Sequence, residues 1–308
     1  MNKPTKISPN SALNTSLPTL NIIGSGKLGR TLARLFSDAG LVTMGAIYNR
    51  NIESSQAAQA FIGSGRVTTN IEQLSSEPAE LWMISTPDDT IKPCAEQLAN
   101  LIGIDWKKAT ALHCSGLKTS AELIALQKQG CATASAHPAH SFASPEHSLS
   151  SFPSTVCTLE GNERATNILD ALFSAIGGQV TTIEPEAKPL YHAATVMASN
   201  YLITLLGTSE TLLKKAGIED ALANAVLAAL MRQSLENGLQ VGPVNALTGP
   251  IARGDSNTLQ AHIKAIKQSV PELDSVYSSM GIQALKLARQ QGYLDSEELA
   301  AIEKILHD

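Results

Sequence analysis

Aromatic side chains are scarce. Phe, Trp and Tyr make up 4% of the 308 residues, so any core must be built from Ala, Leu, Ile and Val. Only four cysteines occur, Cys94, Cys114, Cys131 and Cys157, and none shares a C-x-x-C spacing. Zinc-ribbon and dithiol-redox readings therefore have no support, and buried reduced thiols in a cytoplasmic protein are the expectation. Lysine and arginine form no cluster and the net charge is −5, which argues against a nucleic-acid binder. The histidines are too scattered for a metal-ligand spacing, so no metal is implied. The apolar run ALANAVLAALM is too short to cross a bilayer and reads as a buried helix. Residues 1–18 are polar, carry three prolines and lack the apolar core of a signal peptide, so they read as a disordered tail.

What is present is a strong alternation. From residue 19 to 183, short apolar runs (NIIG, MGAIYNR, RVTT, ELWMIS, ATALHCSG, CATASAHP, STVCTLE, QVTTIEP) alternate with helical patterns. Strands separated by helices, without hairpin signals, imply a doubly wound, mainly parallel sheet. From residue 184 to 308 no strand pattern appears; Ala/Leu-rich helices are interrupted at Gly217, at VGPVNALTGPIARGD and near Pro271. The expected fold is an α/β Rossmann sheet over 19–183 followed by an all-helical domain over 184–308.

The run NIIGSGKLGRTLARLF sets three glycines in a G-x-G-x-x-G spacing between a strand and an amphipathic helix. In a dinucleotide site Gly24 makes the turn, Gly26 lets backbone approach the pyrophosphate, and Gly29 lets helix and sheet pack. Ser25 and Leu28 belong to the same turn, whose free N–H groups and helix dipole favour phosphate. The plain alternative is a turn that binds nothing. Strand two ends in YNRN, where an NAD site carries an acid for the ribose 2′-hydroxyl. Asn49 and Arg50 stand there instead, and Arg50 can grip a 2′-phosphate, which favours NADP(H). Ser85, Thr86 and Pro87, ending strand four, are expected along the cofactor near its nicotinamide half.

GSGKLG, ISTPDDTI, LHCSG, SAHPAHSF, KPLYHAATVMASNYL and ALTGPIARGD occur in that order. Together they resemble the Rossmann-like proteins that carry the uncharacterised domain DUF2520, over residues 19 to about 300. That group is related to pyrroline-5-carboxylate reductase, 6-phosphogluconate dehydrogenase and the F420-dependent NADP reductases, and some relatives are linked to ketopantoate reduction. The resemblance implies an NADP(H)-dependent oxidoreductase acting on CH–OH, and a homodimer formed through the helical domain.

Ketone reduction needs a proton donor and a holder for the carbonyl oxygen. On the helix through KPLYHAATVMASNYL, taken as continuous, His192, Val196 and Asn200 stand at i, i+4 and i+8, with Ser199 beside them and Lys188 one turn earlier. The hydroxyacid-dehydrogenase relatives use Lys and Asn on the corresponding helix, but Lys188 and Asn200 are twelve apart. His192 is the favoured donor or orienter, Asn200 the holder of the substrate oxygen, and Lys188 the competing donor. Ser115 and His137, after strands five and six, are candidate substrate contacts at the ligand edge of the sheet. Thr248 and Arg253 are further candidates, Arg253 as a clamp for a carboxylate or, alternatively, as an ion-pair partner of Asp255. Three functions stay open: a reductase of a small carboxylate-bearing ketone such as ketopantoate, a cyclic-imine reductase, or a non-catalytic NADPH sensor.

Overall fold

A computed structural model describes residues 16–307. The first fifteen residues, which hold most of the expected tail, lie outside the described part. The chain forms two compact units that divide between Val196 and Met197.

The first unit is built on eight strands in the order β3-β2-β1-β4-β5-β6-β7-β8. They are β1 (Thr19–Ile23), β2 (Thr43–Tyr48), β3 (Arg66–Thr68), β4 (Leu81–Ile84), β5 (Thr110–His113), β6 (Ala132–Pro138), β7 (Val156–Gly161) and β8 (Gln179–Thr182). All neighbours run parallel except β6 and β7. That reversal comes from the link between them, which returns through a short helix instead of crossing the sheet. The helices of this unit are α1 (Lys27–Asp38), α2 (Ile52–Ile62), α3 (Asp88–Ala99), α4 (Ile124–Lys128), α5 (Pro145–Ser151), α6 (Glu163–Ala175) and α7 (Lys188–Ala198).

Residues in β1 and β4 are buried on both faces, as a parallel sheet requires. Leu20, Ile22 and Met83 join Leu32, Phe36 and Phe173 in one layer, while Ile23, Trp82 and Ile84 join Leu98 and Trp106 in the other. With so few aromatics, two contacts anchor the layers: Phe36 meets Phe173 edge-on at 5.4 Å, and Trp82 meets Trp106 at 5.0 Å. Asn21 is the polar exception in β1; it is fully buried, accepts from Ala46 N–H and donates to the Glu77 carbonyl, so both ends are satisfied.

The helix α7, expected to open the second domain, belongs with the first unit as far as Val196. Its first residue, Lys188, is fully buried and bonded to the strand edge, and this ties the helix down. The helix also ends early. Ser199, at φ −111° and ψ −67°, separates it from α8 (Asn200–Lys215).

The second unit is helical: α8, α9 (Asp220–Val241), α10 (Pro243–Ala246), α11 (Ser256–Ser269), α12 (Asp274–Gln291) and α13 (Ser296–His307). Its small core is Leu259, Ile263, Leu285, Ile302 and Leu306, from α11, α12 and α13. By contrast α8 has no buried residue and α9 only Ala223 and Leu227.

Candidate active site

The glycine turn closes on β4. Gly24 sits at φ +78°, a conformation L side chains avoid, and its N–H donates to the Tyr48 carbonyl at 2.8 Å. A Cβ on Gly29 would collide with Ser85 Oγ and lie 2.9 Å from the Gly24 carbonyl. Ser85 uses the space that glycine leaves: its hydroxyl donates to the Gly24 carbonyl. Gly26 faces open space, and as the N-cap of α1 it offers no side-chain cap. The first N–H groups of α1 thus have no side-chain acceptor and present a positive helix end.

Asn49 ties the end of β2 to this turn. Its Oδ1 accepts from Ser25 N–H at 2.8 Å, and its Nδ2 donates to Ser25 Oγ at 2.6 Å and Ser55 Oγ at 3.0 Å. Asn49 and Ser85 therefore shape the turn with their side chains. Leu28 is partly buried, its side chain packed against the core. Arg50 is exposed and makes no hydrogen bond or ion pair among the described residues. A cleft of about 390 Å³ is lined by Gly24, Ser25, Gly26, Arg50, Thr86 and Pro87, among others. Thr86 Oγ1 is buried there beside the Cys94 thiol, whose pKa burial raises against the lowering influence of the Thr86 hydroxyl. An open glycine, an uncapped helix end and an unpaired guanidinium fit a phosphate-bearing dinucleotide.

Directly after Pro87, Asp88 opens α3 and leads into a second cluster. Its Oδ2 accepts from Ser115 Oγ at 2.8 Å, and Ser115 Oγ in turn accepts from the N–H groups of Leu117 and Lys118. Ser115 N–H donates to Nδ1 of the buried His113, whose Nε2 lies 2.9 Å from the Thr119 carbonyl. Beneath the loop Lys188 donates to the Ser115 carbonyl at 3.1 Å and to Ser135 Oγ at 2.8 Å. Burial pulls the Lys188 ammonium below its ordinary pKa, against the raising influence of Glu160 and Asp88. Lys188 is 0% exposed, and its two hydrogen bonds support the loop.

Above the loop three rings meet. His137 Nδ1 lies 2.8 Å from the Tyr191 hydroxyl, and the His137 and His192 rings pack edge-on with centroids 5.8 Å apart. A Cβ on Gly116 would lie 2.5 Å from His192 Nδ1 and 3.0 Å from His137 Nε2, so only glycine lets both nitrogens close over this loop. Burial, then the neighbouring His192 and Lys188, lower the His137 pKa to about 4, with Asp88 opposing. The ring is neutral at physiological pH and can donate or accept a hydrogen bond without charge. His192 Nδ1 has one long contact, 3.4 Å to Thr195 Oγ1.

The structure thus brings Ser115, His137, His192 and Lys188 together within the first unit. Ser199 and Asn200 lie in the second unit, both exposed, and the break at Ser199 interrupts the expected His192–Val196–Asn200 stripe. Thr248 and Arg253 also lie there, exposed, in a turn with Gly249 at φ +97° and Gly254 at φ +68°. Asp255 caps α11 by accepting from Thr258 N–H and Oγ1, and the Arg253 charge adds to the lowering of its carboxyl pKa without a contact within 4.0 Å. Tyr191 and Ser135 carry no role in the sequence pattern. Tyr191 adjoins His192 and could have been found there, but nothing in periodicity marks a strand serine such as Ser135.

Residues 155–284 match the family model described as a domain of unknown function, DUF2520. No curated protein gives a significant match. Among solved structures, the Thermotoga maritima protein TM1727 superposes with a TM-score of 0.68 at 26% identity, over 88% of this chain and 99% of that one. The candidate NADP oxidoreductase BF3122 from Bacteroides fragilis gives 0.71 at 19% identity, covering 89% and 98%. Plasmodium falciparum pyrroline carboxylate reductase, with NADP bound, gives 0.56 at 11% identity, covering 94% and 97%. The expected fold class, a mainly parallel Rossmann sheet followed by helices, agrees with both the strand order and these likenesses.

Proposed function

We propose that the chain is an NADP(H)-dependent oxidoreductase that reduces a small carboxylate-bearing ketone, with 2-dehydropantoate (ketopantoate) as the leading candidate. The observation that carries this reading is the convergence of His137 Nε2 and His192 Nδ1 on Gly116, on the strand edge that continues from the glycine-turn cleft through Pro87 and Asp88. In the cleft, the N-terminus of α1 would receive the pyrophosphate and Arg50 would hold the 2′-phosphate. NADPH bound there supplies the hydride. His137 then holds the carbonyl oxygen through its neutral ring, and His192 moves the proton that the developing alkoxide takes up. Ser115, fixed by Asp88 and Lys188, keeps the loop beneath both rings in place. Asn200, Ser199, Thr248 and Arg253 remain candidate substrate ligands of the second unit, Arg253 for the carboxylate.

The same reading includes a homodimer in the cytoplasm. Its support is the bare apolar surface of α8 and α9, where Ile203 is 65% and Leu239 79% exposed.

NADPH oxidation measured over a panel of 2-keto acids and cyclic imines tests the proposal. Turnover with keto acids, lost in His192→Ala, is the expected result. Turnover confined to imines and insensitive to His192→Ala favours the imine-reductase reading, to which the fold likeness to pyrroline carboxylate reductase lends support. Tight NADPH binding without any turnover makes the chain a sensor and sinks the enzyme reading.

A further inference from the structure

We infer that Tyr191 is a positioning residue: its hydroxyl donates to Nδ1 of His137 and so leaves the ring proton on Nε2, the nitrogen turned toward Gly116. The inference rests on the reductase reading for its purpose but on the dyad's geometry for its substance.

Three observations support it. The 2.8 Å contact between Tyr191 Oη and His137 Nδ1 has two possible senses, and chemistry favours one. An unprotonated imidazole nitrogen is a strong acceptor, whereas a phenol oxygen is a good donor and a poor acceptor. Burial raises the Tyr191 pKa above its ordinary value, against the lowering influence of the Thr158 hydroxyl, so the phenol keeps the proton that it donates. The Thr158 hydroxyl hydrogen-bonds Tyr191 and lies 3.5 Å from the His137 carbonyl; a Thr158 proton given to the phenol oxygen leaves the phenol's own proton for Nδ1. Finally, Nε2 has no hydrogen-bond partner among the described residues, and its ring packs closely over Gly116, where any side chain would collide with it.

The consequence is a neutral N–H donor aimed at one point. An imidazole in the other tautomer would present a lone pair to the substrate's carbonyl oxygen and repel it. Tyr191, which touches no substrate in this scheme, thereby decides whether His137 attracts or repels the reacting group.

The test is nitrogen-15 NMR of the ring nitrogens in the full-length chain, with the His137 signals assigned by their loss in His137→Gln. Expected are a protonated Nε2 and an unprotonated, hydrogen-bonded Nδ1. In Tyr191→Phe the Nδ1 resonance moves toward that of an unbonded ring nitrogen, and kcat falls about tenfold or more with the KM for NADPH unchanged. A proton found on Nδ1, or an Nδ1 resonance that ignores the loss of the hydroxyl, overturns the inference. Should Tyr191→Phe fail to fold, the spectrum of the unaltered chain still decides the tautomer. Should no acceptor be turned over, the reductase reading falls while the ring nitrogens still report on the dyad.

Discussion

The Nζ of Lys188 donates to Ser135 Oγ at 2.8 Å, joining the first residue of α7 to the interior of β6. A lysine without exposure is costly to bury, and here it is tolerated because the Ser115 carbonyl takes a second of its protons. Lys188→Met keeps the volume and removes the donors. It is expected to lower unfolding free energy by about 1–3 kcal/mol in urea titrations. It should also raise the His137 pKa, since the Lys188 charge helps to hold it down. A variant as stable as the parent, with an unmoved His137, would remove the supporting role assigned to Lys188.

Acid should destabilise the first unit before its carboxylates titrate. His137 falls from an ordinary 6.5 to about 4 in the folded chain, and burial also lowers the buried His113. Between pH 6.5 and about 4 the unfolded chain binds protons that the folded one refuses. The stabilisation is therefore complete above pH 6.5 and is lost as pH falls toward 4. The groups facing His137 are Tyr191, His192, Lys188 and Asp88. Melting temperatures recorded from pH 7 to 4.5 should fall, and less steeply in His137→Gln. Equal slopes for both proteins would contradict the depressed value.

Coenzyme choice should turn on Arg50. Replacing it with Asp removes a charge-assisted contact and adds repulsion, so the KM for NADPH should rise about 10- to 100-fold while that for NADH changes little. Parallel losses for both coenzymes would mean that Arg50 does not touch the 2′-phosphate.

The exposed apolar faces of α8 and α9 predict self-association. Light scattering should give twice the chain mass, and Leu230→Asp, at a position 59% exposed, should weaken the dimer about a hundredfold without unfolding it. A parent chain that scatters as a monomer at micromolar concentration would remove the dimer from the proposal.

Much of the fold is legible in the sequence because it depends on local pattern. The apolar runs mark all eight strands, and the helix breaks at Gly217 and near Pro271 fall where α8 and α11 end. Gly24 and Gly29 can be assigned their tasks because a turn off a strand into a helix has few solutions. Local pattern leaves open where polar side chains spend their hydrogen bonds and where a helix breaks. Lys188, expected at a helix face, is sealed under a loop contributed by residues about 70 positions earlier. Asp255, a candidate ion-pair partner by its spacing, also caps a helix. The stripe from His192 to Asn200 requires one helix, and Ser199 divides it in two.

What the sequence by itself determined is the order of strands and helices, the glycine turn and the absence of an acid at the end of β2. These depend on periodicity and on residues that act on their immediate neighbours. Only the tertiary structure decided that Tyr191, His137, His192 and Gly116 share one point, and that Asp88, Ser115, Ser135 and Lys188 hold it from below. Those contacts join residues 21 to 76 positions apart, and no local pattern encodes which polar groups the closing of a sheet will bring within about 3 Å.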